Sequence, residues 1–445
     1  MKVSIHYMIA FLAFLCLTNG KVYGQNSNSW SLTKCILYAL DHNIQIKQSL
    51  LTTDVNKVTA EQVRASRLPV VNGNFRQNLS WNNVQNLSSI NYASPISNSS
   101  TFSVNSSATL YNGSKINNSI KQTEINYEAG KYDSETIKET ISLNVLTAFL
   151  NLVYAEEQVK NNANQIVVTE GELSLANERY TLGVIANSDL LVIKSQLATE
   201  KQTLAKSEGL LSSSRVILMQ FMELPLSNDF SIEHPDLSNL NVKQSEPDAS
   251  NVYQTALGIK PQIKSAELYS QSSKINIDIA KAGYRPNLSV SAGLGTNYYS
   301  TAKNLAYIPQ LDHNLSPAVG LTLSIPIYEN KQVKSLVDIA KIGTEKAILQ
   351  VQDTKNQLRK AIESACTDVI SAEKEYLAGQ EQYKSNQESF DVATEKFNQG
   401  LINSVDYLVQ KTNLITSQST LLQSKYHLIF SYKTLDFYLG IPLTL

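Results

Sequence analysis

The sequence has few of the residues that build disulfide-linked or metal-linked scaffolds. Its 445 residues include 3 cysteines, 5 histidines, 11 prolines and 2 tryptophans. Cys35 and Cys366 are too distant in sequence for a disulfide to be inferred, so we interpret them as small buried residues. The histidines show no metal-ligand spacing. The composition therefore predicts neither a disulfide framework nor a metal centre.

Other absent features exclude further classes of function. The formal net charge is −1, so the chain lacks the basic surface that nucleic-acid binding needs. No GxxxxGKS or GxxxxGKT motif is present, and no Ser/His/Asp or Cys/His set is evident. No later segment approaches 18 uninterrupted apolar residues, so no transmembrane helix is predicted. We expect no cofactor and no enzymatic activity.

The first 24 residues have the pattern of a secretory signal. Lys2 supplies a charged start, residues 8–17 are apolar, and Val22 and Gly24 are the small residues of a cleavage site. The apolar run is too short to span a bilayer comfortably. The mature chain is therefore expected to begin at Gln25 and to be exported.

The clearest internal feature is a repeat at an offset of 217 residues. Residues 176–218 and 393–435 share 16 identities over 43 positions, among them the pairs Gly183/Gly400 and Asp189/Asp406. Each copy has a glycine-containing break followed by a heptad run, which is typical of the tip of a helical hairpin. We predict two similar halves, residues 25–226 and 251–445, joined by a polar linker or small peripheral segment at 227–250.

Each half is predicted to begin with a helix that leads into a β-hairpin. A helix over 32–66, capped by Ser31, ends before Pro69, and its partner from about residue 251 ends before Pro286, which is again 217 positions later. After each proline the apolar residues alternate, which predicts two strands per half with one apolar and one polar face. The strand connections, 82–100 and 300–315, are long and polar.

These strands suit an outer-membrane barrel better than a soluble sandwich, which has more strands and tighter turns. Four strands are too few to close a barrel, so several chains would have to contribute.

Two very long helices are predicted after the hairpins, over 114–180 and 331–397. About 67 residues at about 1.5 Å each give a helix near 100 Å long. Its two apolar stripes, which contain Ile141 and Leu150, predict a helix wedged between two neighbours. The return helix carries leucines at a strict period of seven, as in a coiled-coil seam; they are Leu190, Leu197, Leu204, Leu211 and Leu218. A DNA-binding zipper is excluded, because the preceding residues are not basic.

Together these features resemble the TolC-like outer-membrane efflux family. The resemblance covers residues 30–445, and its motifs are the twice-used order of helix, proline break, two strands, long helix, turn (YTLGV and FNQGL) and heptad helix. It implies an α+β membrane protein in which three copies close one 12-stranded barrel in outer-membrane lipid. The helices would continue the barrel as a periplasmic coiled-coil tunnel. The hairpin tips would meet a periplasmic adaptor and an inner-membrane pump of the RND or ABC type.

The same resemblance assigns gate residues at the tips. The positions that match are Asp189, Phe397, Ile402, Asp406 and Val409. The family's closed gate resembles a polar lock of tyrosine, arginine and aspartates. Here Phe397 replaces the tyrosine, Ile402 the arginine and Val409 a second aspartate. Our hypothesis is that Phe397 and Ile402 close the tip by apolar contact, beside a ring of three Asp406 carboxylates that favours cations.

Three alternatives stay open at this point. Asp189 and Asp406 could instead be helix N-caps. The apolar tip residues around Gly183 and Gly400 could dock an adaptor or pack on each other; they are Leu182, Val184 and Leu401. The whole chain could be a trimeric coiled-coil surface adhesin or structural protein without channel activity, which would explain the heptads and export but not the repeat. The cargo, whether drugs, metals or proteins, stays open too.

Overall fold

A computed structural model of the chain describes residues 29–81, 96–225, 230–235, 242, 246–300 and 306–445. The predicted signal, most of the first strand connection and much of the predicted linker lie outside these residues.

The described chain combines long helices with one four-stranded sheet and a short two-stranded sheet. None of its helices has an apolar stretch long enough to cross a membrane. The helices are α1 (Leu32–His42), α2 (Ile44–Ala65), α3 (Lys115–Thr181), α4 (Asn187–Phe221), α5 (Ala249–Ile259), α6 (Pro261–Lys281), α7 (Tyr307–His313), α8 (Gln332–Asn398) and α9 (Ser404–Leu439). The strands are β1 (Ser29–Trp30), β2 (Val70–Trp81), β3 (Ile96–Asn112), β4 (Ser231–Ile232), β5 (Asn287–Tyr299) and β6 (Ser316–Ser324).

The predicted single helix over 32–66 is wrong, because the chain breaks at Asn43 and forms α1 and α2. Ser31 does cap α1, accepting a bond from the Lys34 amide. Asn43 has an extended ψ of 131°, and its side-chain oxygen accepts from the Gln45 and Ile46 amides. The Asn43 side-chain nitrogen Nδ2 donates to the Phe221 carbonyl oxygen at 2.9 Å. The asparagine thus supplies a new helix start, which satisfies amides that a helix end leaves free.

The two long helices form as predicted. Helices α3 and α8 have 67 residues each, and each pairs with the shorter return helix that follows it. Both predicted stripes of α3 are buried, including Ile141 and Leu150, so this helix packs against neighbours on two sides. The core lies here, where α3 meets α1 and the end of α4 at Leu218.

The four-stranded sheet has the order β2-β3-β5-β6 with every pair antiparallel, so β3 and β5 join the two halves of the chain. Val104 pairs with Gly73 on one side and with Leu294 on the other, and the Phe75 and Phe102 rings lie 4.7 Å apart on the same face. That face is apolar and open to solvent; it presents Val71, Phe75, Leu79, Trp81, Val104, Leu294, Val319, Leu321 and Leu323. Within the described residues, β2 and β6 each pair on one side only.

Several features were not anticipated from the sequence. The helix predicted from about residue 251 is divided at Lys260 into α5 and α6. The second strand connection contains α7, where the Gln310 amide both accepts from and donates to the backbone of Tyr299. The predicted linker contains β4, which pairs in parallel with β1 and buries Phe230 and Ile232 in the main core. Cys35 and Cys366 are buried free thiols, and burial raises the pKa of Cys35 to about 12.

Candidate functional site: the hairpin tips

In both hairpin tips the chain reverses direction at a glycine in the left-handed backbone conformation. Gly183 has φ +73° and Gly400 has φ +74°. The residue after each glycine donates its amide back across the turn, Val184 to the Arg179 carbonyl and Leu401 to the Lys396 carbonyl, both at 2.9 Å. This is the Schellman arrangement, in which a left-handed residue ends the helix and satisfies its last carbonyls.

We expect Gly400→Ala to destabilise the tip by about 1–2 kcal/mol, which is the cost of placing a side chain in left-handed backbone. No atom lies within 4 Å of the position that an added Cβ would occupy, so the cost would come from the backbone alone. Thermal denaturation of the purified protein would measure it. The matched control is Gly209→Ala within α4, which is equally uncrowded and should stabilise the helix by about 0.5–1 kcal/mol. Equal effects of the two changes would contradict this explanation.

The two tip aspartates are the third residues of their helices and not N-caps, so the capping alternative is wrong. Helix α9 is capped by Asn403, whose side chain accepts from the Asp406 amide at 2.8 Å, and the N-cap of α4 is Ala186. A carboxylate in the first turn of a helix still interacts favourably with the helix dipole.

The structure places Asp189 and Asp406 in different surroundings. Asp189 Oδ1 accepts a hydrogen bond from the buried Ser404 hydroxyl at 2.5 Å, which joins the first hairpin to the second. Asp406 is exposed and lines an open groove on the second hairpin together with Ile402 and Val409. We call this the α8/α9 groove; it is lined by Glu388, Ser389, Val392, Ala393, Lys396, Ile402, Asp406, Val409 and Gln410.

Phe397 lies apart from that groove. Its ring stacks on Tyr407 with centroids 4.7 Å apart and an interplanar angle of 18°. The Arg179 guanidinium lies 6.0 Å from the Phe397 ring centroid, and it donates to the Asn398 side chain at 3.4 Å. Phe397 is therefore part of the contact between the two hairpins.

The apolar residues of both turns are open to solvent. Leu182 is 78% exposed, Val184 is 69% exposed and Leu401 is 68% exposed. With Gly183 and Gly400 they form an apolar end to the molecule, where a partner could bury surface.

A buried lysine joins the two hairpins, and the sequence did not single it out as functional. Lys411 on α9 is 1% exposed. Its ammonium lies 2.6 Å from Glu172 Oε2, 2.7 Å from Thr169 Oγ1 and 3.8 Å from Glu200 Oε1. Helices α3 and α4 of the first hairpin thus hold one cation of the second.

The acceptors around Lys411 are themselves hydrogen-bonded. The Tyr407 hydroxyl donates to Glu172 Oε1 at 2.7 Å, and the Thr169 hydroxyl donates to Glu200 Oε2 at 2.5 Å. Burial, and then the Glu172 carboxylate, raise the pKa of Tyr407. We call these five residues the inter-hairpin clasp. Removing one partner of such a buried pair would leave the other charge uncompensated, so each member of the clasp depends on residues of the other hairpin.

The repeat shows a lysine at the clasp position in both halves of the chain, but it does not show which lysine is buried. Lys411 matches Lys194 at the 217 offset, and Lys194 is exposed. A lysine in a heptad helix is usually solvated, so sequence alone could not distinguish these two positions. In the described part of the chain, no cluster of three or more histidine, cysteine, aspartate or glutamate residues could hold a metal ion.

Comparison with solved structures shows the same fold in outer-membrane channels. CusC, whose crystal structures describe transmembrane channel formation, superposes with a TM-score of 0.79 and 17% identity over 93% of this chain and 92% of that one. The Campylobacter jejuni CmeC outer membrane channel gives a TM-score of 0.76 and 17% identity over 93% of this chain and 86% of that one.

Sequence relatives point the same way. Outer membrane protein TolC of Escherichia coli is 22% identical over 315 residues, which is 69% of this chain and 62% of TolC. The matched part of the chain thus spans less than two thirds of that relative. The profile of the family described as outer membrane efflux protein matches residues 36–222 and 252–441. These two matches cover most of the chain and confirm the resemblance seen in the sequence: the chain belongs to the outer membrane efflux protein family.

Proposed function

We propose that this protein is an outer-membrane exit duct for efflux or secretion. The observation that carries the proposal is a four-stranded sheet with one apolar face, in which β3 and β6 are each followed in the chain by a helix of 67 residues. Such strands suit the lipid region of an outer membrane, and helices about 100 Å long suit a tunnel that projects from it. Members of the family are efflux channels and not enzymes, in agreement with the lack of a catalytic motif.

The sheet supports a trimer. Strands β2 and β6 each have one edge without a partner in the described chain, and four strands cannot close. Three copies would supply 12 strands, with β6 of one copy pairing with β2 of the next. Closure would satisfy both edges and leave the apolar face toward lipid.

The helices offer a matching contact between copies. Helices α2 and α8 expose apolar side chains, and these are Leu51, Val55, Val58, Leu336, Ile339 and Ile342. At the repeat offset of 217 residues, Ile339 on α8 is equivalent to Gln122 on α3, and Val55 on α2 is equivalent to Ser272 on α6. Within the chain Gln122 donates to the Ser272 carbonyl at 3.3 Å, so α3 packs on α6. We infer that α8 packs on α2 of the next copy in the same way.

The partners are those that membership of the family implies, and two features of the chain agree with them. The sequence contains no nucleotide-binding motif, so energy would come from an inner-membrane pump of the RND or ABC type. The exposed apolar turns at Leu182, Val184 and Leu401 would dock a periplasmic adaptor protein. The curated relatives include a cation efflux system protein, CusC of Escherichia coli O157:H7, and a pyoverdine export protein, OpmQ of Pseudomonas putida. Cargo therefore differs between relatives, and none is assigned to this chain.

The gate proposal centres on Asp406. In a trimer the three exposed carboxylates would surround the inner mouth, and a ring of carboxylates favours cations. Ile402 and Val409 lie beside Asp406 in the α8/α9 groove and would narrow the mouth. Within one chain Phe397 stacks on Tyr407 and does not line the groove that contains Ile402. Apolar closure by Phe397 and Ile402 would therefore be a contact between copies.

We expect Asp406→Ala to reduce the cation selectivity of single channels, since it removes three carboxylates from the mouth. Reversal potentials in a salt gradient would measure the change. Asp189→Ala is the matched control at the equivalent position of the repeat; its carboxylate is held by Ser404, so selectivity should change little. Unchanged selectivity and unchanged divalent block in Asp406→Ala would exclude the ring.

The proposed location and assembly can be tested in the host cell. The protein should fractionate with the outer membrane and migrate as a trimer before heating and as a monomer after heating. Recovery with the cytoplasmic or soluble periplasmic fraction would overturn the proposal.

A further inference from the structure

We propose that Arg76 makes the barrel end of the duct selective for anions. Each copy of the chain would place one guanidinium in the lumen, so three copies would form a single positive ring in an otherwise uncharged wall. Such a ring would favour cargo that carries a carboxylate, phosphate or sulfonate group. The inference rests on the trimeric duct proposed above, and it concerns the end of that duct away from the hairpin tips.

Charged residues are almost absent from the sequence of the sheet and its connections. At pH 7 the only charged residue in 70–113 is Arg76, and the only ones in 287–328 are Lys303 and Asp312. The strands β2, β3, β5 and β6 therefore carry one charge between them. An isolated charge in a neutral wall attracts ions of the opposite sign, because no neighbouring charge cancels its field.

The alternation of side chains along β2 places Arg76 on the polar face of the sheet. The preceding residue, Phe75, lies on the apolar face opposite Phe102, so Arg76 lies on the other side. Arg76 pairs with Thr101, and Thr101 pairs with Asn297, so this row of the sheet is polar across three strands. The Arg76 side chain is exposed. In the proposed barrel this face meets the aqueous lumen.

The Arg76 guanidinium has no counter-ion within the described part of the chain, where no carboxylate forms an ion pair with it. Its neighbours on the same face of β2 are the neutral Asn74 and Asn78. Strand β6, which would pair with β2 of the next copy, contains no charged residue. Because an arginine stays protonated at physiological pH, the ring would keep three positive charges.

The one carboxylate in these segments lies on the other side of the sheet. Thr296 pairs with Phe102 and so lies on the apolar face. The Thr296 hydroxyl donates to the Leu311 carbonyl of α7 at 2.5 Å, which packs this helix on the apolar face. Asp312 follows Leu311 in α7 and is exposed there. The sheet therefore separates Asp312 from Arg76.

The width of the barrel sets how far the ring can act. Barrels of about eight strands are filled by side chains, whereas those of about 16 strands hold an aqueous channel. Three arginines on the wall of a 12-stranded barrel would therefore leave water between them. The Debye length is about 10 Å at 0.1 M salt and about 3 Å at 1 M. The ring should thus act across the lumen at low salt and weakly at high salt.

The guanidinium also determines which anions are favoured. Its planar group of N–H donors binds carboxylate and phosphate oxygens in pairs, so it interacts with oxyanions through hydrogen bonds as well as charge. A polyvalent oxyanion can contact more than one of the three groups. We therefore expect tripolyphosphate to be a blocker of the open channel that acts from the barrel side.

Reversal potentials in a potassium chloride gradient across planar bilayers test the ring by substitution. Because the proposed Asp406 ring acts at the opposite end, the change on substitution is the informative quantity. Arg76→Gln should shift the preference from chloride toward potassium, and Arg76→Lys should keep most of the wild-type value. Asn74→Gln is the neutral control on the same face and should change nothing. Arg76→Gln with Asn74→Arg returns one arginine to the lumen and should restore the preference for chloride. Each variant is first checked for the heat-modifiable trimer.

Block of the wild-type channel is a second test, which needs no variant. Protein added to one side keeps its polar helices on that side, so the barrel opens to the other. Tripolyphosphate should block more strongly from the barrel side, and the block should weaken at about 1 M salt, where charges are screened. In Arg76→Gln the block from the barrel side should be lost.

Two results would overturn the inference: an assembled Arg76→Gln trimer with the wild-type reversal potential, or equal block of the wild type from both sides. If Arg76→Gln does not assemble, the block of the wild type decides alone. A wild-type trimer that never conducts would instead refute the proposed duct. A trimer that conducts with a selectivity independent of Arg76 would refute the ring and leave the duct intact.

Discussion

Replacing Lys411 with methionine should destabilise the packing of the two hairpins by about 3–5 kcal/mol, the cost of leaving a buried charge without its partner. Lys411 is the one cation of the clasp, so its loss leaves the Glu172 and Glu200 carboxylates without their cation; the Glu200 side chain is 8% exposed and the Glu172 side chain 21% exposed. We expect earlier thermal melting of the helical signal and faster proteolysis near both tips. Glu172→Gln in the same background should recover part of the loss.

An exposed ion pair in the first hairpin is the control for this change. Lys201 lies 2.9 Å from Glu170, and both side chains are more than half exposed. Because water screens such pairs, Lys201→Met should change the free energy of unfolding by about 0–1 kcal/mol. If Lys411→Met were as mild as Lys201→Met, burial of the clasp charges would not make them depend on Lys411.

The second large effect is expected in the sheet. Phe75→Arg should impair insertion and trimer assembly, because a cationic side chain on the lipid face of a barrel costs about 2–4 kcal/mol near the middle of the bilayer. Phe75 is 61% exposed on the apolar face and lies opposite Phe102. Heat-modifiable migration of the protein from outer-membrane fractions would measure assembly, and the trimer band should weaken or vanish.

The neighbouring residue gives the matched control. Asn74 lies on the opposite, polar face of the same strand, next to Phe75 and paired with Ser103. Asn74→Arg would place its charge toward the lumen of a barrel, where water solvates it, so trimer formation should be close to normal. Equal assembly of the two variants would mean that the apolar face does not meet lipid.

Patterns that repeat were predictable from the sequence. The 67-residue helices could be read because heptads, proline breaks and glycine turns recur at a fixed offset, and each recurrence supports the same interpretation. The Ser31 cap and the alternation of the strands are local signals that tertiary contacts did not override.

Features that depend on a partner elsewhere in the chain were not predictable. At the break at Asn43, the side-chain amide donates to the Phe221 carbonyl, which is distant in sequence. The same is true of the linker, where Phe230 and Ile232 find a place in the core only because β4 pairs with β1. A single-sequence pattern records that a residue is apolar or polar, but not which surface it meets.

The tip illustrates the same limit at the candidate site. The sequence correctly located both turns, and its expectation that Phe397 and Ile402 replace a polar gate stays a prediction. It could not show that a polar contact of another kind exists nearby, because Lys411 and Lys194 have the same residue type at the same repeat position. Only their surroundings differ, one buried against Glu172 and the other exposed.

Ion conductance of the purified, detergent-extracted trimer in planar lipid bilayers tests the central claim most directly. A duct formed by three copies should give discrete single-channel steps, which disappear when the sample is heated to monomers before reconstitution. A trimer that inserts and never conducts would contradict the account and would favour a coiled-coil surface protein without channel activity.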